Sequence, residues 1–295
     1  MNVLITGAGG QLGRALTVLA PPEVIVRGVT HAELDIADAA RVDAVLHDFK
    51  PALLVNAAAF TRVDAAEAAP TAAERANATG PAVLAAGCRR SGTWLTHVST
   101  DYVFDGAQNR AYDPASRPNP VSVYGRTKLD GELAVTRELA SRRTIVRTSW
   151  VYGAEGRNFL NTMLRRMRSR PQLGIVSDQI GSPTSVTGLA RTLWALSLRR
   201  AGGLYHWCDS GVASWYDFAV AIAEEALVLG LLSAAPTITP IGSEDYPRAA
   251  RRPAWSLLDK RSTERLLGVR APHWRAALRE TLRAQRAAAS SGSAP

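Results

Sequence analysis

The chain has 295 residues, 46% of them hydrophobic and 21% charged, with a formal net charge of +9. That length allows one large domain or two smaller ones with substantial cores, and no apolar stretch is long enough to predict a membrane span. The charge suits anionic ligands, but the arginines are scattered in pairs and triplets such as Arg89-Arg90, Arg142-Arg143 and Arg251-Arg252, with no nucleic-acid motif beside them, so no nucleic acid is expected as partner.

In chain order, Val3 to Thr6 reads as a short apolar strand and Gln11 to Ala20 as a helix stopped by Pro21-Pro22. Glu23 to Val29 is a second strand, 38–49 an alanine-rich amphipathic helix and Ala52 to Asn56 a third strand. Thr71 to Arg90 is mostly helical despite Pro81, and strands follow at Trp94 to Ser99 and Thr144 to Thr148. Short apolar strands alternating with helices predict an α/β fold, a Rossmann-type doubly wound parallel sheet covered on both faces.

The second half is less regular. Helical patterns lie near 158–169, 185–200, 214–230 and 273–286, with short strands near 173–176 and 203–208. Pro183, Pro236, Pro240, Pro247 and Pro253 mark loops. We expect a nucleotide-binding domain over 1–150 and, over 151–286, mainly a smaller C-terminal substrate-binding lobe whose segments can return to the first domain. The small, polar tail 287–295 is expected to be disordered. The opening Met1-Asn-Val-Leu-Ile-Thr6 is strand-like, with no basic start and apolar h-region, and Cys88 and Cys208 are isolated. Both point to a reduced, cytoplasmic protein.

Gly7-Ala-Gly-Gly10-Gln-Leu-Gly13 joins the first strand to the first helix. Glycines there let a pyrophosphate approach the backbone, and the helix N-terminus supplies free N–H groups and positive potential. An acid at the end of the second strand bonds an adenine-ribose 2′-hydroxyl and repels a 2′-phosphate. None stands directly at Val29, while Arg27 and His31 could meet a phosphate; Glu33 and Asp35 lie slightly beyond. The expected cofactor is NADPH, with NADH as the alternative.

Tyr124 and Lys128, one of only three lysines, are four apart and share a helix face. An ammonium beside a phenol is expected to lower its pKa from about 10 toward working pH, which equips the tyrosine to exchange a proton with a carbonyl oxygen. The five histidines and two cysteines lack ligand spacing, so no metal is expected. Met163 and Met167 fit a buried helix face, and no G-x-S-x-G turn appears.

With the glycine turn, Thr100 and Tyr124-x-x-x-Lys128 in this order, the chain resembles the extended short-chain dehydrogenase/reductase superfamily. Val98-Ser-Thr-Asp-Tyr-Val-Phe-Asp-Gly106, Arg147-Thr-Ser-Trp-Val-Tyr152 and Asp178-Gln-Ile-Gly-Ser-Pro-Thr184 narrow the likeness to the dTDP-4-dehydrorhamnose reductase family, up to about residue 283. The resemblance implies reduction of the C4 ketone of dTDP-4-dehydro-β-L-rhamnose to give dTDP-L-rhamnose. It implies that Tyr124 donates the proton, that Lys128 holds the nicotinamide ribose and that Thr100 positions the carbonyl. Gly7, Gly10, Gln11, Leu12 and Gly13 would surround the pyrophosphate, Asp35 and Ile36 the adenine, and Ala57, Ala58, Ala59 and Thr61 the riboses and phosphates. Asp101, Tyr102 and Trp150 would line the sugar site beside Tyr124.

Two departures from the family pattern stand out. Phe60 takes a position where relatives can carry histidine. Some relatives dimerise through magnesium held by acids, one of them on the first helix; Arg14-Ala15-Leu16 offers none there, so a homodimer stays open without that metal. Three other readings also stay open: a 4-ketoreductase of another dTDP-deoxysugar, an epimerase or dehydratase, and a non-catalytic subunit like the regulatory subunit of methionine adenosyltransferase. Tyr102 stands where dehydratases place a glutamate, and retention of Thr100, Tyr124 and Lys128 argues for turnover.

Overall fold

A computed structural model describes the backbone over residues 1–291 and side chains through 288. Strand β1 (Asn2–Thr6) leads into helix α1 (Gln11–Val18), followed by β2 (Ile25–Val29), α2 (Ala39–Phe49) and β3 (Leu53–Asn56). An interrupted helical run follows: α3 (Val63–Ala68), α4 (Pro70–Glu74), a π-helical turn (Arg75–Thr79) and α5 (Gly80–Ser91). Pro81 lacks the N–H that would reach back to Asn77, and the widened turn just before it absorbs that missing bond. Then come β4 (Trp94–Thr100), a 3-10 turn (Asp101–Val103), α6 (Val123–Leu139) and β5 (Arg143–Thr148).

The second half supplies β6 (Val151–Tyr152), α7 (Phe159–Ser169), β7 (Gln172–Val176), β8 (Ile180–Gly181), β9 (Thr184–Ser185) and α8 (Val186–Leu198). It continues with β10 (Gly203–His206), β11 (Ala213–Ser214), α9 (Trp215–Val228), β12 (Thr237–Ile241), α10 (Arg261–Leu267) and α11 (Trp274–Ser291).

Six strands form one parallel sheet in the order β10-β5-β4-β3-β1-β2. Its central strands β1 and β3 are apolar on both faces because both are covered. Leu4, Leu54 and Leu95 pack with α2, α5 and α6. Their neighbours Val3, Ile5, Leu53 and Val55 point to the other face, against Leu16 of α1 and Leu189 and Leu193 of α8. The chain winds outward from β1 to β2, then returns through β3 in the opposite direction. This reversal opens a crevice at the carboxyl ends of β1 and β3, the place where such sheets bind ligands.

A further core gathers Leu160, Met163, Leu164, Met167, Phe218, Ile222, Leu278 and Leu282 from α7, α9 and α11. Strand β10, from the second half of the chain, completes one edge of the main sheet. Several features differ from the sequence expectation, among them α3 and the short strands β6, β8, β9 and β11, which it did not contain. Pro240 does not mark a loop, because β12 runs there as one strand of a two-stranded parallel pair with β7, where an edge proline is tolerated. Helix α10 has no counterpart among the expected elements. Helix α11 continues past 286 to Ser291, so 287–291 of the expected disordered tail are helical, the alanine run there being the best helix former. Residues 292–295 lie outside the described residues.

Candidate active site

The turn after β1 is built for close approach. Gly7 has φ +73°, and a Cβ there would lie 2.6 Å from the Ala58 nitrogen. Gly10 caps α1 without any side-chain bond, leaving the first N–H groups of that helix to a ligand. A cavity of about 680 Å³ opens from this turn across the ends of β3, β4 and β5. Gly10, Gln11, Leu12, Ala57, Ala59 and Thr61 line one end of it. Thr100, Asp101, Tyr102, Tyr124, Lys128 and Trp150 line the other. Gly7 and Gly13 stand behind the wall and shape it, and Asp35, Ile36 and Ala58 line an adjoining hollow of about 360 Å³ that shares Ala59 with the main cavity.

Helix α6 carries the tyrosine and lysine. Ser122 caps it by accepting from the Gly125 N–H at 3.1 Å. Gly125 lets the helix press on the 3-10 turn, since a Cβ there would lie 2.2 Å from the Tyr102 carbonyl oxygen. Tyr124 and Lys128 are both buried, with the Tyr124 ring edge-on to Tyr102 at 5.7 Å.

The expected effect of Lys128 on the phenol is not found. Burial pushes the Tyr124 phenol up to about 12, the Thr100 hydroxyl lowering it and Asp101 raising it further. Lys128 points its Nζ at the Val98 carbonyl, 2.6 Å away. Burial pulls its pKa down to about 8 against the opposing charge of Glu132. Desolvation outweighs the helix-face neighbour, so Tyr124 holds its proton throughout the neutral range. Below these residues, Glu132 accepts from Arg147 Nε at 2.9 Å and Nη2 at 2.7 Å, and from the Ser99 hydroxyl, joining α6 to β4 and β5.

At the hollow beyond β2, Arg27 is committed to Asp48 at 2.9 Å and to the Phe49 ring, so it is not the expected phosphate partner. Glu33 accepts from the Thr30 N–H and hydroxyl at 2.7 and 2.8 Å, and Asp35 from Ala37 N and Arg75. These bonds hold both carboxyls below their ordinary pKa. His31 remains on the wall, together with Arg75.

Several lining residues were missed by sequence reasoning. Trp150 (φ +48°) stacks on Trp215 at 3.5 Å, and Trp215 also borders a smaller hollow of about 210 Å³ with Arg166, Tyr246, Arg248 and Arg252. Arg252 is anchored bidentately on Asp64 at 3.0 and 2.9 Å. Such arginines suit a diphosphate. No local motif announces them, because they come from α7 and from the chain between β12 and α10, and only folding gathers them.

Lys128→Met is expected to weaken both turnover and dinucleotide affinity, with Lys128→Arg little better because a planar fork replaces a compact ammonium. Stopped-flow turnover and NADP⁺ titration check it; unchanged rate and affinity would reduce the lysine to a structural role.

The family described as RmlD substrate binding domain matches residues 1–287. The dTDP-4-dehydrorhamnose reductase of Aggregatibacter actinomycetemcomitans is 39% identical over 286 residues, covering 94% of this chain and 97% of that protein. That of Burkholderia thailandensis is 41% identical over 293 residues, covering 94% and 97%. The crystal structure of the Bacillus anthracis dTDP-4-dehydrorhamnose reductase in complex with NADP superposes with a TM-score of 0.91 at 34% identity, covering 96% of this chain and 99% of that one.

Proposed function

The chain belongs to the RmlD substrate-binding family, and from that membership and the cavity we propose that it reduces the C4 ketone of dTDP-4-dehydro-β-L-rhamnose with NADPH, giving dTDP-L-rhamnose. The observation that carries this reading is a buried Tyr124 beside Thr100 in one cavity with the glycine turn.

The residues present fit a nicotinamide dinucleotide: Gly10, Gln11 and Leu12 at the open end of α1, Ala57 to Ala59 and Thr61 just past the end of β3, and Asp35 and Ile36 in the adjoining hollow. When bound, NADPH supplies the hydride. Tyr124 gives its proton to the C4 oxygen, Thr100 polarises that oxygen and Lys128 places its positive charge beneath the reacting end. Asp101, Tyr102 and Trp150 border the sugar, and Arg166, Arg248 and Arg252 suit the diphosphate. Tyr102 stands where a dehydratase needs an acid, which favours reduction over water elimination. We place the reaction in the cytoplasm.

The test is NADPH oxidation with enzymatically generated dTDP-4-dehydrorhamnose, without any added protein partner, and product stereochemistry read by NMR. NADPH should be preferred over NADH by about threefold or more in kcat/KM, because Glu33 and Asp35 are both occupied within the chain. No consumption would favour a non-catalytic role; a product other than the rhamnose would point to another dTDP-deoxysugar; a clear NADH preference would show that one of those acids turns to the ribose.

A further inference from the structure

Asp101 is 1% exposed and opens the 3-10 turn between β4 and α6, on the wall of the main cavity. Its Oδ1 accepts from the Thr100 hydroxyl at 3.0 Å, and its Oδ2 has no hydrogen bond of good geometry, with the Ser256 hydroxyl beside it. Thr100 Oγ1 also accepts from the Tyr102 N–H at 3.2 Å and lies within reach of the Tyr124 phenol.

A hydroxyl has one proton and two lone pairs. While Asp101 is a carboxylate, the Thr100 proton is spent on it. One Thr100 lone pair then faces the Tyr102 N–H, and the hydroxyl has no proton left to polarise a ketone. Once Asp101 carries a proton, the bond can reverse. The acid donates to Thr100 Oγ1, and the Thr100 proton turns to the cavity, beside that of Tyr124. We propose that Asp101 is a positioning residue that sets the direction of the Thr100 hydrogen bond, its protonated form arming the site and its ionised form idling it. The proposal rests on the ketone-reductase reading above.

The surroundings fit this exchange. Burial is the main influence on Asp101 and lifts its pKa to about 7, against the Ser256 and Thr100 hydroxyls. The titratable groups that feel its charge are Tyr102 in the same turn, Tyr124 on α6 and Cys208 beyond β10, all of which it pushes up. The nearby cations are engaged elsewhere: Lys128 on Val98, Arg252 on Asp64, Arg147 on Glu132 and Lys260 on the Asp209 carbonyl. The folded pKa is raised, so the armed form prevails below about 7 and is lost as pH rises through it.

The experiment is kcat against pH, from about 5.5 to 9, for wild type, Asp101→Asn and Asp101→Ala at saturating NADPH, with an infrared titration of the protonated-carboxyl stretch in wild type minus Asp101→Asn. Wild-type kcat should fall about tenfold per pH unit between about 7 and 8, and more steeply once Lys128 also loses its proton. Asparagine keeps a permanent donor toward Thr100. Its plateau should be lower, within about tenfold, and its alkaline limb should move up by about one pH unit, to that of Lys128. Alanine should lower kcat at every pH. The carboxyl band should titrate near neutrality. An unmoved limb in Asp101→Asn, or no carboxyl band at about pH 6, would overturn the proposal. The infrared arm needs neither substrate nor turnover. A wild-type protein that shows the band but consumes no NADPH would sink the reductase reading, and with it the catalytic use of the switch.

Discussion

Replacing Tyr124 with phenylalanine is expected to lower kcat by about 10²–10⁴-fold while NADP⁺ binding persists. The ring is 9% exposed and packs with Ala66 and Ala73, near Phe60, Val63 and Tyr102, so phenylalanine fills the same space and the fold should not notice. The lost atom is the proton donor. As hydride reaches C4, charge develops on the ketone oxygen, and water is a poor substitute donor inside this cavity. Burial holds the phenol pKa near 12, so the proton is in place throughout the neutral range, and a pH dependence below about 9 must come from another group. Single-turnover NADPH oxidation, with NADP⁺ titration and thermal melting as controls, checks this. Near-normal turnover in a folded variant would remove Tyr124 from the acid role.

The sheet was legible in the sequence because buried parallel strands are apolar on both faces, and Leu53-Leu-Val55 and Val3-Leu-Ile5 are continuous runs of that kind. Tyr124 and Lys128 were legible because a helix period places them together. What was illegible depended on burial or on distant parts of the chain. Spacing shows that Lys128 lies near Tyr124, but not that its ammonium turns to the Val98 carbonyl or that desolvation dominates the phenol. Arg75, Arg166, Arg248 and Arg252 read as ordinary surface cations in a chain with 35 basic residues. Their places are set by Asp35, by Tyr246 and by Asp64, which is 188 residues from Arg252. Arg27 failed as a candidate for the same reason, since Asp48 and Phe49 hold it from a neighbouring helix.

Glu132→Gln is expected to cost about 3–5 kcal/mol of stability, and to damage the site as well as the fold. Glu132 is 4% exposed and Arg147 2%, and the pair is bidentate. Arg147 Nη1 is already buried without a partner, so removing the carboxylate leaves a charge with little compensation in the core. Glutamine can still accept from Ser99, yet it cannot neutralise the guanidinium. Pairing the change with Arg147→Met should recover much of the stability, because it removes the buried guanidinium left without its counter-charge. Catalysis should not recover with it. Glu132 sits one helical turn beyond Lys128, and its charge is what opposes burial in keeping that lysine ionised. Without it the lysine pKa falls further below about 8, and its positive charge is lost near neutral pH. Denaturant melts of the single and double variants, alongside NADP⁺ affinity against pH, separate the two effects. A single variant destabilised by less than about 1 kcal/mol would show that water reaches the pair. A double variant with wild-type affinity and turnover at every pH would show that Lys128 owes its charge to another neighbour.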